Sequence, residues 1–187
     1  MIKRIFDFSV AFAALLILSP VILIIALTIK LTSMGPILYW SDRVGKNNVI
    51  FKMPKFRTMK VDTPPLATHL MTNPDHYLIP IGPFLRRTSL DEIPQLWSIL
   101  KGDMSFVGPR PLITNEKEIL ALRTQEGIHL HTPGLTGWAQ INGRDSVTIK
   151  QKVDLEKEYI SKKSFLFDMY IFLLTIPKVL FKVDVRH

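Results

Sequence analysis

The sequence predicts an α+β fold, mostly helical. A membrane-embedded helix over residues 1–31 precedes a small domain over residues 32–187 that carries a short β-hairpin and interfacial helices. Three observations carry this reading. Phe8 to Ile29 holds no charged residue over 22 positions, which as a helix reaches about 33 Å against a hydrocarbon core of about 30 Å. Two β-prone runs, Ile37 to Ser41 and Val49 to Met53, flank the polar turn Asp42 to Asn48. Beyond this hairpin, most of the chain reads as helices punctuated by proline and glycine.

Ser19-Pro20 sits near the middle of the apolar run. The proline deletes one i to i−4 bond and kinks the helix, and the Ser19 hydroxyl can reach a freed carbonyl, so the run divides into two half-helices. Lys3 and Arg4 precede it, and Lys30, Arg43, Lys46, Lys52, Lys55, Arg57 and Lys60 come after it. The positive-inside rule therefore draws both flanks to the cytoplasm, and a re-entrant helix obeys both pulls. A kinked single span is the alternative, with Lys3 and Arg4 on the disfavoured side. Cleavage as a signal peptide is not expected, because Thr32-Ser33-Met34-Gly35 runs into Pro36 with no A-x-A-like site.

With 187 residues the chain has room for one domain with a core plus this appendage, and no internal repeat is evident. The absence of cysteine excludes disulfides and thiolate zinc sites. A net charge of +8 calls for anionic partners, a class that includes nucleic acid, acidic lipid headgroups and phosphorylated substrates.

The stretch most loaded with chemistry is Ser89 to Pro111. Ile93, Leu96, Trp97 and Leu100 keep to i, i+3, i+4, i+7 spacing and predict a helix with one buried face, which puts Asp91 and Glu92 at its N-terminal end. Ser89 and Glu92 satisfy an S-x-x-E capping box, in which case the acids only complement the helix dipole. With Asp91 as N-cap instead, Pro94 falls in the first turn, where its missing N–H costs nothing. Paired acids at an anion-binding helix end, with an arginine nearby, also suit metal-assisted phosphoryl transfer. Arg110, fixed between Pro109 and Pro111, offers a rigid bidentate guanidinium to a phosphate.

Lys52, Lys55 and Arg57 form either a solvated basic edge strand or a phosphate contact. Val61 to Pro80, with four prolines, reads as a long loop able to fold over the site as a lid. Arg86 and Arg87 add positive charge just before Asp91. Asn115 to Gln125 reads as a surface helix capped by Thr114 or Asn115 and ended near Gly127. His129 and His131 alternate as on a strand and are read as structural, since no further ligand completes a metal site. Asn142-Gly143 suits a tight turn that presents Arg144. Val147 to Lys163 is a charged helix. Phe165 to Phe181 is an apolar one, too short and too interrupted for a second span, which with Tyr39 and Trp40 seats the domain at headgroup level.

Four blocks, Lys55-Phe-Arg-Thr-Met59, Ser89-Leu-Asp-Glu-Ile-Pro-Gln-Leu96, Gly102 to Pro111 and Pro133 to Arg144, together with the Ser-Pro break, resemble the bacterial sugar transferase family of small polyprenyl-phosphate phosphoglycosyl transferases. The resemblance implies a re-entrant helix with both ends cytoplasmic and a small catalytic domain on the cytoplasmic face of the bacterial inner membrane. It implies transfer of a sugar 1-phosphate from a UDP-sugar to undecaprenyl phosphate, with release of UMP, as the first membrane step of glycan assembly. It also implies Mg2+ and an Asp-Glu dyad at Asp91 and Glu92. On that reading Asp91 is the nucleophile of an aspartyl intermediate, and Glu92 binds the metal with Asp91 or orients it. Lys55, Arg57, Arg110 and Arg144 are then the candidates to hold phosphate. Expected partners are the UDP-sugar, undecaprenyl phosphate and membrane lipid, with a homodimer left open and nucleic acid not expected. The rival reading is a membrane-anchored basic module that binds acidic lipid or nucleic acid without chemistry.

Overall fold

The computed structural model describes residues 1–64, 74–143 and 147–181. Helix α1 (Ile2–Thr32) runs through Pro20 as one continuous element, so the Ser-Pro pair does not divide it into separate halves. The reason is visible locally. Pro20 has no N–H for the Leu16 carbonyl, and the Ser19 hydroxyl donates to that carbonyl instead at 2.7 Å. One stripe of α1 lies on the rest of the chain, with Asp7, Ala11, Ile25 and Ile29 buried. Phe8, Phe12, Leu16, Ile17, Leu23, Ile24, Leu27 and Leu31 form an exposed apolar face.

Strands β1 (Leu38–Val44) and β2 (Ile50–Phe56) make the expected hairpin, longer than predicted, with a turn that carries Asn47 and Asn48 at positive φ. The register pairs Leu38 with Phe56 and Val44 with Ile50, so one face carries Ser41, Arg43, Met53 and Lys55, and the other carries Asp42 and Lys52. Pro54 is tolerated because β2 is the outer strand; β1 pairs on its other side with β4 (Leu112–Ile113).

After α2 (Gly82–Thr88), a 3₁₀ turn over Leu90–Gln95 leads into α3 (Leu96–Lys101). Strand β3 (Ser105–Val107) then pairs in parallel with β5 (Gly134–Thr136). Between them, α4 (Lys117–Gln125) starts later than predicted and has no side-chain cap. The Glu116 carboxylate instead accepts from the Ile113 N–H at 2.7 Å. Gly127, at φ 70, lies just past its end as expected. His129 lies in a 3₁₀ turn, Ile128–Leu130, so the two histidines do not alternate on a strand. Asn142 ends a short helix, α5 (Trp138–Asn142), where a tight turn at Asn142-Gly143 was predicted. The charged helix α6 (Ile149–Lys162) starts at a Thr148–Gln151 capping box, and α7 (Phe165–Phe181) is the apolar helix after it.

Three apolar clusters hold these elements. The largest joins Ala11, Met53, Ile99, Phe106, Tyr159 and Ile171; the second joins Ile25 and Ile29 to Phe56, Ile79 and Leu85; the third joins Val44, Leu112, Ile119, Ile128 and Val153. α1 therefore contributes to two cores.

Backbone packs on backbone where the β3 and β5 segments meet. A Cβ on Gly134 would lie 2.1 Å from the Gly108 nitrogen, whereas one on Gly127 would meet nothing within 4 Å. Gly127→Ala should cost roughly 1–2 kcal/mol for its left-handed backbone. Gly134→Ala should lower the unfolding midpoint of the detergent-solubilised protein by clearly more. Equal shifts in a thermal melt would show that the junction yields, contrary to this packing.

Candidate active site

The site begins with one residue of unusual backbone. Ser89 adopts φ 56, ψ 17, and its N–H closes α2 on the Leu85 and Arg86 carbonyls. An N-cap side chain works from extended backbone, so in this left-handed conformation Ser89 makes no capping bond and the predicted S-x-x-E box does not form. Asp91 is not an N-cap either; it and Glu92 lie within the 3₁₀ turn. That turn advances about three residues per revolution and so shifts the phase of α3. Gln95, Leu96, Ser98 and Ile99 face inward, while Trp97, predicted on the buried face, is 52 % exposed.

Each acid meets different neighbours. Lys55, from the outer strand, reaches Glu92, with Nζ 2.7 Å from Oε1. Burial alone would raise the Glu92 pKa; the Lys55 charge and hydrogen bond, with Arg110 and Arg43, more than offset it and hold the carboxyl below its usual range. Asp91 goes the other way. Burial, then the charge of Glu92, push it up to about 6, against the pull of Lys55 and Arg86. Two adjacent carboxyls thus have their affinities for a proton driven apart, the pattern by which one site holds groups of different duty.

Of the residues expected to hold phosphate, Lys55 and Arg110 lie at the dyad, Lys55 by contact and Arg110 by charge. Arg57 is engaged elsewhere: it is buried, and it donates through Nε to the Pro36 carbonyl at 2.6 Å and through Nη2 to the Ser33 carbonyl at 3.1 Å. Ser33 caps the C-terminus of α1, so Arg57 fastens that helix to the hairpin. Arg144 lies outside the described residues, as does 65–73, the middle of the proposed lid. His131 presents Nδ1 to Lys163 Nζ at 3.0 Å, and burial and that lysine lower its pKa.

Two residues join the site that the sequence reading did not count among the phosphate-binding candidates. Arg86 donates through Nε to Thr58 Oγ1 at 3.0 Å and acts on Asp91 by charge. Arg43 donates through Nε to Ser41 Oγ at 3.1 Å and acts on Glu92. The signal for Arg43 was parity: once the hairpin register is drawn, it shares a face with Lys55. The signal for Arg86 was its place in a short helix that ends just before the dyad.

Among the described residues, no group of three or more His, Asp or Glu gathers as a metal site. The dyad supplies two hard carboxylates, a set that fits Mg2+, which commonly takes one or two carboxylates and completes its shell with water and substrate phosphate.

The raised Asp91 pKa has a cost with a definite sign. A carboxyl that titrates near 6 when folded and near 3.8 when unfolded favours folding below the lower value, and that contribution is lost as pH rises through the upper one. Metal-free Asp91→Asn should therefore melt above metal-free wild type near pH 7.5, with the gap closing near pH 4. A gap independent of pH would refute this source of strain.

The profile of the bacterial sugar transferase family matches residues 1–182. The chain is 40 % identical over 185 residues to the UDP-glucose:undecaprenyl-phosphate glucose-1-phosphate transferase of Escherichia coli K12, a match that takes in 95 % of this chain and 40 % of that protein. It is 39 % identical over 190 residues to the undecaprenyl-phosphate glucose phosphotransferase of Komagataeibacter xylinus, covering 96 % of this chain and 36 % of the other. An uncharacterised sugar transferase of Bacillus subtilis is 38 % identical over 189 residues, 100 % of this chain and 91 % of its own length. The chain thus spans well under half of the first two relatives and nearly all of the third. With the acid dyad, its cations and the apolar N-terminal helix in place, this match over almost the whole chain makes it a member of the bacterial sugar transferase family.

Proposed function

We propose that the chain moves a sugar 1-phosphate from a UDP-sugar to undecaprenyl phosphate, releasing UMP, through a covalent intermediate on Asp91. The observation that carries this is a half-buried Asp91 beside Glu92, with Lys55, Arg43, Arg86 and Arg110 converging on the pair. A carboxylate whose proton affinity is raised is a better nucleophile, and near pH 7 it is still largely ionised. One Asp91 oxygen attacks the phosphorus that bears the sugar, and the bridging oxygen leaves with its electron pair on UMP. An oxygen of the polyprenyl phosphate then attacks the same phosphorus, and the Asp91 carboxylate departs unchanged. Arg86, which acts on Asp91, and Arg110, which acts on Glu92, are the candidates to hold phosphoryl oxygens, and Lys55 keeps Glu92 ionised. Asp91 and Glu92 are the residues to hold Mg2+, which when bound offsets diphosphate charge. The names of the relatives make UDP-glucose the first donor to try.

The same reading places the enzyme at the cytoplasmic face of the bacterial inner membrane, with α1 entering and leaving by that face. Both ends of α1 rest on one body. Lys3 Nζ lies 2.6 Å from Asp168 Oδ2 and donates to the Val107 carbonyl at 2.9 Å, while Arg57 holds the other end. Asp7 accepts from the Phe106 N–H at 3.2 Å. A span with ends in opposite compartments would break one set of contacts. Exposed Tyr39, Trp40 and Trp97, with Leu166, Tyr170 and Leu173 of α7, are suited to an interfacial belt.

Detergent-solubilised protein given Mg2+, undecaprenyl phosphate and a panel of UDP-sugars should release UMP with at least one donor. Silence with every donor would defeat the transferase reading. With UDP-sugar alone, wild type should carry a sugar-phosphate adduct that Asp91→Asn, still folded, lacks; an adduct on Glu92 would exchange the two roles. For topology, single cysteines near Lys3 and near Arg43, at exposed Ile2 and Asp42, should both escape an impermeant thiol reagent in intact cells. Labelling of the first alone would mean that α1 spans.

A further inference from the structure

The sequence Pro109-Arg110-Pro111 contains one backbone N–H, that of Arg110, because proline has none. Both backbone polar groups of Arg110 meet a single buried ion pair, Arg123 and Glu156, from two helices that hold neither acid of the dyad. Arg123 of α4 donates through Nη1 to the Arg110 carbonyl at 2.7 Å, and the Arg110 N–H helps to hold the Glu156 carboxylate of α6 ionised. Arg123 and Glu156 are 7 % and 3 % exposed and are joined by a two-pronged contact, Nε to Oε2 at 2.6 Å and Nη2 to Oε1. On the preceding side, the Gly134 N–H donates to the Pro109 carbonyl at 2.8 Å and the Gly108 N–H to the Thr136 carbonyl at 2.9 Å.

The corner is therefore held at all three of its carbonyls, that of Pro111 accepting from Arg43 Nη1 at 3.4 Å, while the Arg110 side chain itself is exposed. A buried ion pair is poor evidence for stability, since its desolvation cost is large and apolar side chains of the same volume often do as well. What this pair supplies that apolar side chains cannot is a donor and an acceptor matched to one residue's carbonyl and N–H. Its two-pronged form also fixes the direction in which each is offered.

We propose that Arg123 and Glu156 are positioning residues for the transfer: they set the Pro109–Arg110–Pro111 corner so that the Arg110 guanidinium meets the substrate's phosphoryl oxygens at the dyad. This rests on the transferase reading of the site. The test is a double-mutant cycle on the full chain in detergent, with UMP release read for the UDP-sugar that wild type accepts. Arg123→Lys keeps the charge but loses the fork, and it should lower kcat/KM by about 10- to 100-fold, the scale of an ångström-level misplacement. In an Arg110→Ala background the same substitution should change kcat/KM by less than about 2-fold, because the group it positions is gone. Glu156→Gln, which retains an acceptor for the Arg110 N–H, should lose less than Arg123→Lys. Thermal midpoints are read in parallel. An equal loss from Arg123→Lys with and without Arg110 would overturn the inference and make the pair a general brace. Failure of both Arg123→Lys and Glu156→Gln to fold at assay temperature would also overturn it, by assigning the pair to folding. A wild type silent with every UDP-sugar is a separate result, which removes the transferase reading and this inference with it.

Discussion

Asp91 and Glu92 are consecutive acids in a half-buried turn, and the burial of two neighbouring negative charges, which their repulsion makes costlier, is the constraint on which the surrounding structure depends. Like charges about 4 Å apart at an effective dielectric near 20 repel by about 4 kcal/mol, a large fraction of the stability of any small domain. The chain meets this cost by bringing cations from four separate places. Lys55 comes from β2, Arg43 from β1, Arg86 from α2 and Arg110 from the proline corner. The compensation is uneven. Glu92 takes the direct ion pair and is held ionised, whereas Asp91 keeps an appreciable affinity for a proton. Such asymmetry costs stability, and in the proposed reaction it would separate the group that reacts from the one that assists.

Much of this was legible in the sequence where a local rule had no competitor. The hairpin came from two β-prone runs around a polar turn, and the Ser19 bond to Leu16 came from the carbonyl that Pro20 strands. The acid pair, Lys55 and Arg110 stood out by type and spacing. Local rules failed where two elements competed for one residue. Ser89 looks like an N-cap for the helix after it, but it already terminates α2 in a left-handed conformation. Trp97 fits a 3.6-residue stripe that the 3₁₀ turn puts out of phase.

Other features required long-range pairing that no local pattern encodes. Arg57 lies two residues from Lys55, yet its guanidinium goes to α1 because the chain enters the hairpin directly from the end of that helix. Arg43 belongs with Lys55 only after the antiparallel register is drawn. The buried stripe of α1 was illegible for a different reason. When nearly every residue of a helix is apolar, hydropathy does not mark which side meets protein and which meets lipid.

The two sides of α1 bear on what that helix is for. The composition divides at residues 31 and 32, but packing does not. Ala11 sits in the same cluster as Ile99 and Phe106, and Ile25 and Ile29 sit with Phe56 and Leu85. At both of its ends α1 is bound to the rest of the chain by polar side chains, Lys3 and Asp7 at one and Arg57 at the other. The main cluster that includes Ala11 also takes in Leu96 and Ile99 of α3, the helix that continues directly from the dyad turn. The dyad turn thus runs directly into a helix that packs on α1. On the proposed transferase reading, a lipid-linked acceptor in the bilayer and a water-soluble donor use one site in turn, and a seat between the apolar helix and the basic hairpin would serve both.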